Sequence, residues 1–127
     1  MTKAFDYENP PKTRTRFDAD WDIDKARALI EPLIKDMWAA GFFIGIAGSV
    51  FTKGKSTKDL DLILSPLTTE HVDINAAKAV LKAAGLTPFV SRELVTARWR
   101  KAGSLDEKHV EVWLTHDEER IDVFFLK

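Results

Sequence analysis

The run Asp59-Leu60-Asp61-Leu62-Ile63-Leu64 constrains this chain more than any other stretch of it. Side chains alternate across a β-strand, so Asp59 and Asp61 share one face, with backbones about 7 Å apart, while Leu60, Leu62 and Leu64 share the other. The leucine face points into a core. Two like charges side by side are unfavourable on their own, so the acidic face calls for a solvated surface or a cation. Ser65-Pro66 ends the strand.

What flanks this run gives the fold class. From about Asp24 to Ala40, the apolar residues Ala26, Leu29, Ile30, Leu33, Ile34, Met37 and Trp38 recur at helical spacing. Pro32 lies inside that helix and kinks or restarts it, and Gly41 stops it. Phe42 to Ala47 is a short apolar strand, and residues 48–58 form a loop with room for a helical turn. A second helix runs from about Thr69 to Ala84, with Thr68 or Thr69 as its cap and Gly85 as its stop. Strand-like runs follow at Leu94–Arg100, His109–Leu114 and Arg120–Phe125, the last two joined through His116–Glu119 as an antiparallel hairpin. The expected fold is α+β: a mixed or antiparallel sheet of about five strands, with two main helices packed on one face.

At 127 residues the chain fits one domain with a real core. Residues 1–20 are polar, carry Pro10-Pro11 and read as a solvated arm, with Thr13–Phe17 as an alternative edge strand; residues 21–127 are the domain. Nineteen basic and twenty acidic side chains leave a net charge of −1, so bulk charge gives no argument for wrapping a nucleic acid. The absence of cysteine excludes disulfides, thiolate metal sites and a cysteine nucleophile. With no apolar leader and no stretch of membrane-spanning length, the expectation is a soluble cytoplasmic protein without a membrane partner.

Gly48-Ser49 precedes Asp59 by a nine-residue spacer. Gly48 has no Cβ, so a phosphate could approach its backbone, and Ser49 adds an N–H and a hydroxyl. Lys53, Lys55 and Lys58, in the spacer, could neutralise a triphosphate. Magnesium binds through one or two carboxylates plus substrate phosphates, and two such ions about 4 Å apart hold the attacking and leaving oxygens of a phosphoryl displacement.

In these residues the chain resembles the polymerase-beta-like nucleotidyltransferase superfamily. Its signature is a hydrophobic residue, Gly, Gly or Ser, a spacer of comparable length, then Asp, a hydrophobic residue and Asp or Glu. Here that reads Ala47-Gly48-Ser49 and Asp59-Leu60-Asp61, and the likeness extends over about residues 24–126. The resemblance implies a third carboxylate between hydrophobic residues on a later strand. Ile121-Asp122-Val123 fits best, and Val110-Glu111-Val112 competes. It further implies that Asp59 and Asp61 bind two Mg2+ ions, that Asp122 helps activate the attacking hydroxyl, and that a nucleoside triphosphate is the substrate. Transfer of a nucleoside monophosphate to a hydroxyl would release pyrophosphate. The acceptor, whether RNA, protein or a small molecule, is not read from the sequence.

The chain departs from the family in two ways. Val50-Phe51-Thr52-Lys53 replaces the Arg common after Gly-Ser in the minimal, antitoxin-like members. Many relatives also carry a further helical domain after the third acid, so the expectation is that a partner chain, a homodimer or the N-terminal arm supplies those contacts. The rival from another class is a nucleotidyltransferase-like fold kept as a regulatory module, such as an antitoxin with a helical partner.

Each candidate has a plainer reading. Asp59 and Asp61 alone would be an exposed strand face, and each lysine alone a solvated one. Arg98, Arg100 and Lys101 around Trp99 would line an acceptor groove or simply form a charged outer face. His71, His109 and His116 lack metal spacing, and the four tryptophans are expected in the core or at its rim.

Overall fold

A computed structural model describes residues 17–68, 70–89 and 108–126. The strand-like run at Leu94–Arg100, with Arg98, Trp99, Arg100 and Lys101, lies outside the described residues, as does most of the N-terminal arm. A short strand β1 (Trp21–Asp22) leads directly into helix α1 (Ile23–Ile30). Asp22 is its cap, accepting a hydrogen bond from the Lys25 N–H at 2.7 Å. Pro32 acts as expected: the helix tightens into a 3-10 turn at Glu31–Leu33 and resumes as α2 (Ile34–Ala39). Gly41, at φ +94°, then turns the chain into β2 (Phe42–Ala47).

The segment expected as a loop with room for a helical turn carries that turn and a short strand. Helix α3 (Gly48–Lys53) ends on Gly54 at φ +78° and is followed by strand β3 (Lys55–Ser56), which pairs antiparallel with β1. Val50 is the buried anchor of α3. Next come β4 (Leu60–Pro66), helix α4 (Ile74–Ala83), β5 (Thr87–Phe89), β6 (Lys108–Leu114) and β7 (Arg120–Leu126). Helix α4 starts later than the Thr69 expected. Its cap is Asp73, which accepts from the Ala76 N–H at 3.2 Å, and His71 before it sits at φ 57°, outside the right-handed helical region.

The main sheet is five-stranded and mixed, in the order β2-β4-β7-β6-β5. Only the central β4–β7 pair is parallel. The hairpin expected at the end of the chain is β6–β7; its turn is held by the Glu118 N–H on the Thr115 carbonyl and by the Thr115 N–H on the Glu119 carbonyl. β5 was not among the expected strands, and Pro88 is its middle residue. It lies on the sheet edge, where proline can be accommodated.

Strand parity divides the sheet into two faces. Leu60, Leu62 and Leu64 lie beside Ile121, Val123 and Phe125 and are buried with Trp113. Ala26, Ile30, Leu33 and Met37 from α1–α2, with Ala77 and Leu81 from α4, complete that core. The opposite face carries Ala47, Asp61 and Asp122 in one row, with Val110, Val112 and Phe124 in a smaller cluster beside them. Helices on one face and acids on the other is the arrangement that the Asp-Leu alternation demanded. Among the described residues no helix is long and apolar enough to cross a membrane.

Candidate metal centre

The central pairing brings the acids together. In the parallel β4–β7 register, Asp61 stands directly beside Asp122, and Asp59 precedes the first residue of β4 on the same face. One carboxylate oxygen from each of Asp59, Asp61 and Asp122 falls within 4.8 Å of the others. Asp122 is only 3% exposed, a depth at which a carboxylate requires a partner.

Gly48 permits the close approach of Asp61. It has φ +64°, and a Cβ placed there would lie 2.8 Å from the Asp61 carboxyl carbon and nearer still to Oδ2. The space expected for a phosphate beside the Gly48 backbone is thus partly filled by the Asp61 carboxylate. Ser49 is exposed next to it at the start of α3. Lys53 and Lys55 are exposed and Lys58 is half-buried.

The approach to β4 is braced from several sides. Ser56 Oγ accepts from the N–H groups of Lys58 and Asp59, at 3.2 and 3.3 Å. The Ala19 N–H donates to the Lys58 carbonyl and the Ile23 N–H to the Gly54 carbonyl, so residues 19–23 clamp the spacer. At the other end of the site, the Arg120 N–H donates to the Phe17 carbonyl at 3.0 Å. Lys25, also from α1, reaches Glu119 and lies over the Trp21 ring.

Arg120 is the member of the site that sequence reasoning missed. Its Nε donates to Asp122 Oδ1 at 2.8 Å, its terminal nitrogen donates to Asp122 Oδ2 at 3.3 Å, and Nε lies 3.9 Å from Asp59 Oδ2. The signal was available: Arg120 and Asp122 are two apart on a strand and share a face, by the same alternation that paired Asp59 with Asp61.

Electrostatics records the crowding. Burial, then the charges of Asp122 and Asp61, then a hydrogen bond with Asp122 push Asp59 up from 3.8 to about 8, with Arg120 pulling the other way. Burial acts against the Arg120 charge, but its hydrogen bond to Asp122 and the charges of Asp122 and Asp59 outweigh this and hold it above its ordinary value. Three hard oxygen donors around a common point, each of which a bound cation would hold in its charged form, suit a divalent ion of the magnesium or manganese type. The triad could hold such a metal ion.

Glu111, the competing third acid, lies elsewhere. It stands beside Val123 on the helix face, where its Oε2 takes the Lys78 ammonium at 2.8 Å and its Oε1 the Trp113 indole N–H at 3.1 Å. Trp21 and Trp113 are buried as expected, but Trp38 is exposed and stacks edge-on with Phe43. His71 and His116 are at the surface. No protein-family model, no curated protein and no solved structure matches this chain.

Proposed function

We propose that the protein is a metal-dependent nucleotidyltransferase that moves a nucleoside monophosphate from a nucleoside triphosphate to a hydroxyl, releasing pyrophosphate. The observation that carries this reading is the meeting of Asp59, Asp61 and Asp122 on the sheet face opposite the leucine core, with their carboxylate oxygens within 4.8 Å. The Gly48-Ser49 turn against Asp61 supports the same reading, because Ala47-Gly48-Ser49 followed by Asp59-Leu60-Asp61 is the signature on which the family resemblance rests.

Asp59, Asp61 and Asp122 would hold Mg2+, in two ions, which supplies neutralisation of the phosphate charge and polarises the phosphorus under attack. The chain's own residues do the rest. Ser49, with Lys53, Lys55 and Lys58, holds the phosphates. The acceptor oxygen bonds to the α-phosphorus, the bond from that phosphorus to the bridging oxygen breaks, and pyrophosphate leaves with the electron pair. Asp122 orients the acceptor hydroxyl and takes its proton.

The test is incubation with each labelled triphosphate and Mg2+, alone and with cell extract. Label transfer that disappears in Asp59→Ala and Asp61→Ala is the expected result. Absence of transfer, together with no metal-dependent triphosphate binding by calorimetry, overturns the reading. Metal-dependent binding without transfer would favour a regulatory module that works with a partner.

A further inference from the structure

Arg120 holds two of the carboxylates that a metal ion at the triad would need. Its guanidinium spans both oxygens of Asp122 and lies near the closest oxygen of Asp59. A guanidinium stays charged at any pH that a folded protein experiences, so its positive charge can leave the site only by moving. Its backbone is fixed, paired with Leu114 across the hairpin and donating to the Phe17 carbonyl, whereas its long side chain has several rotatable bonds. Without a cation near them, three carboxylates this close would repel one another, and Asp122 would be buried without a counter-charge.

We propose that Arg120 is the resident counter-cation of Asp122 and Asp59, and that a divalent ion binds by taking these two carboxylates away from it. The inference rests on the metal reading of the triad. It gives Arg120 two opposed effects: it stabilises the metal-free fold, and it weakens the affinity of the site for a cation. A residue that merely oriented Asp122 as a ligand would act in the other direction, since losing such support typically costs metal affinity.

The experiment compares the wild type with Arg120→Met and Arg120→Lys, using Mn2+ alone as the probe. Calorimetry gives the affinity, and thermal melts with chelator or with Mn2+ give the stability. Arg120→Met is expected to melt lower than the wild type in chelator, to gain more from Mn2+ than the wild type does, and to bind Mn2+ roughly tenfold tighter or better. Arg120→Lys, which keeps the charge but loses the two-pronged grip, is expected to fall between them. If Arg120→Met folds only with Mn2+ present, that dependence is itself the expected result in its strongest form. Equal or weaker Mn2+ affinity in Arg120→Met overturns the inference while leaving the metal site standing. Failure of the wild type and both variants to bind Mn2+ overturns the inference and the metal reading together.

Discussion

Replacing Gly48 with alanine should disarm the site while leaving the fold in place. Two costs are separable. At φ +64°, an ordinary side chain costs about 1–2 kcal/mol, or a melting temperature lower by roughly 3–10 °C in a domain of this size. The second cost falls on Asp61. The new Cβ would stand 2.8 Å from its carboxyl carbon, where carbon atoms prefer about 3.5 Å or more, so the carboxylate must retreat by roughly 0.7 Å and its nearer oxygen by more. Magnesium holds its ligands at about 2.0–2.1 Å with near-ideal geometry, so a ligand displaced this far is lost. Disturbing the support of a ligand already costs 10–100-fold in metal affinity, and losing the ligand should cost at least about that. Gly54→Ala is the matched control: Gly54 has φ +78°, but nothing lies within 4 Å of where its Cβ would be. Calorimetric titration with Mn2+ and thermal melts of both variants decide the matter. Both should lose comparable stability, and only Gly48→Ala should lose the ion. Wild-type affinity in Gly48→Ala would refute Asp61 as a ligand fitted against that glycine.

Asp59→Asn should flatten the pH dependence of stability measured in chelator. Asp59 is raised from 3.8 to about 8 on folding, so its contribution is fully present below about pH 4 and is lost as pH rises through about 8, at most about 6 kcal/mol. Wild-type melting temperature should therefore fall across that window more steeply than the variant's, and parallel profiles would refute the assignment. The same variant should abolish stabilisation by Mg2+, read from the same melts. Glu111→Gln should weaken the contact with Lys78 and lower stability by about 1–2 kcal/mol in a urea titration, with Mn2+ affinity unchanged within about twofold; loss of binding would return Glu111 to the site. Asp73→Ala should cost about 1 kcal/mol through loss of the α4 cap, again with binding intact.

The strands of this fold were legible because they carry a two-residue period with a chemical contrast. The Asp-Leu alternation of β4 gave both its burial and its charge, and the hairpin followed from two such runs around a polar turn. The first helix was legible down to its interruption at Pro32. What escaped has physical causes. Helix α3 buries only Val50 among its residues, too few for a period to show. The start of α4 is set by the backbone at His71 and the carboxylate of Asp73, while Thr68 is engaged with the Glu70 carbonyl. Within the site, Asp59 and Asp61 were legible from spacing, whereas Asp122 was preferred to Glu111 on the family resemblance, because both have hydrophobic neighbours; the pairing register assigns the two to opposite faces. Arg120 escaped because a basic residue beside a polar turn has the pattern of a solvated strand end, and only the fold shows its guanidinium on Asp122.

The direct apposition of Asp61 and Asp122 across β4 and β7 makes the site hostage to one alignment. A slip of one residue in β7 would turn Asp122 toward the helices and send Val123 out among the acids. The same slip would pull Ile121 and Phe125 from the core, so a misaligned chain would lose its folding energy along with its chemistry. Length variation is therefore tolerable in the turn at residues 115–119, where strand parity is not at stake, and intolerable from Arg120 to Phe124. In this protein, quality control of the three-carboxylate geometry is performed by the hydrophobic core.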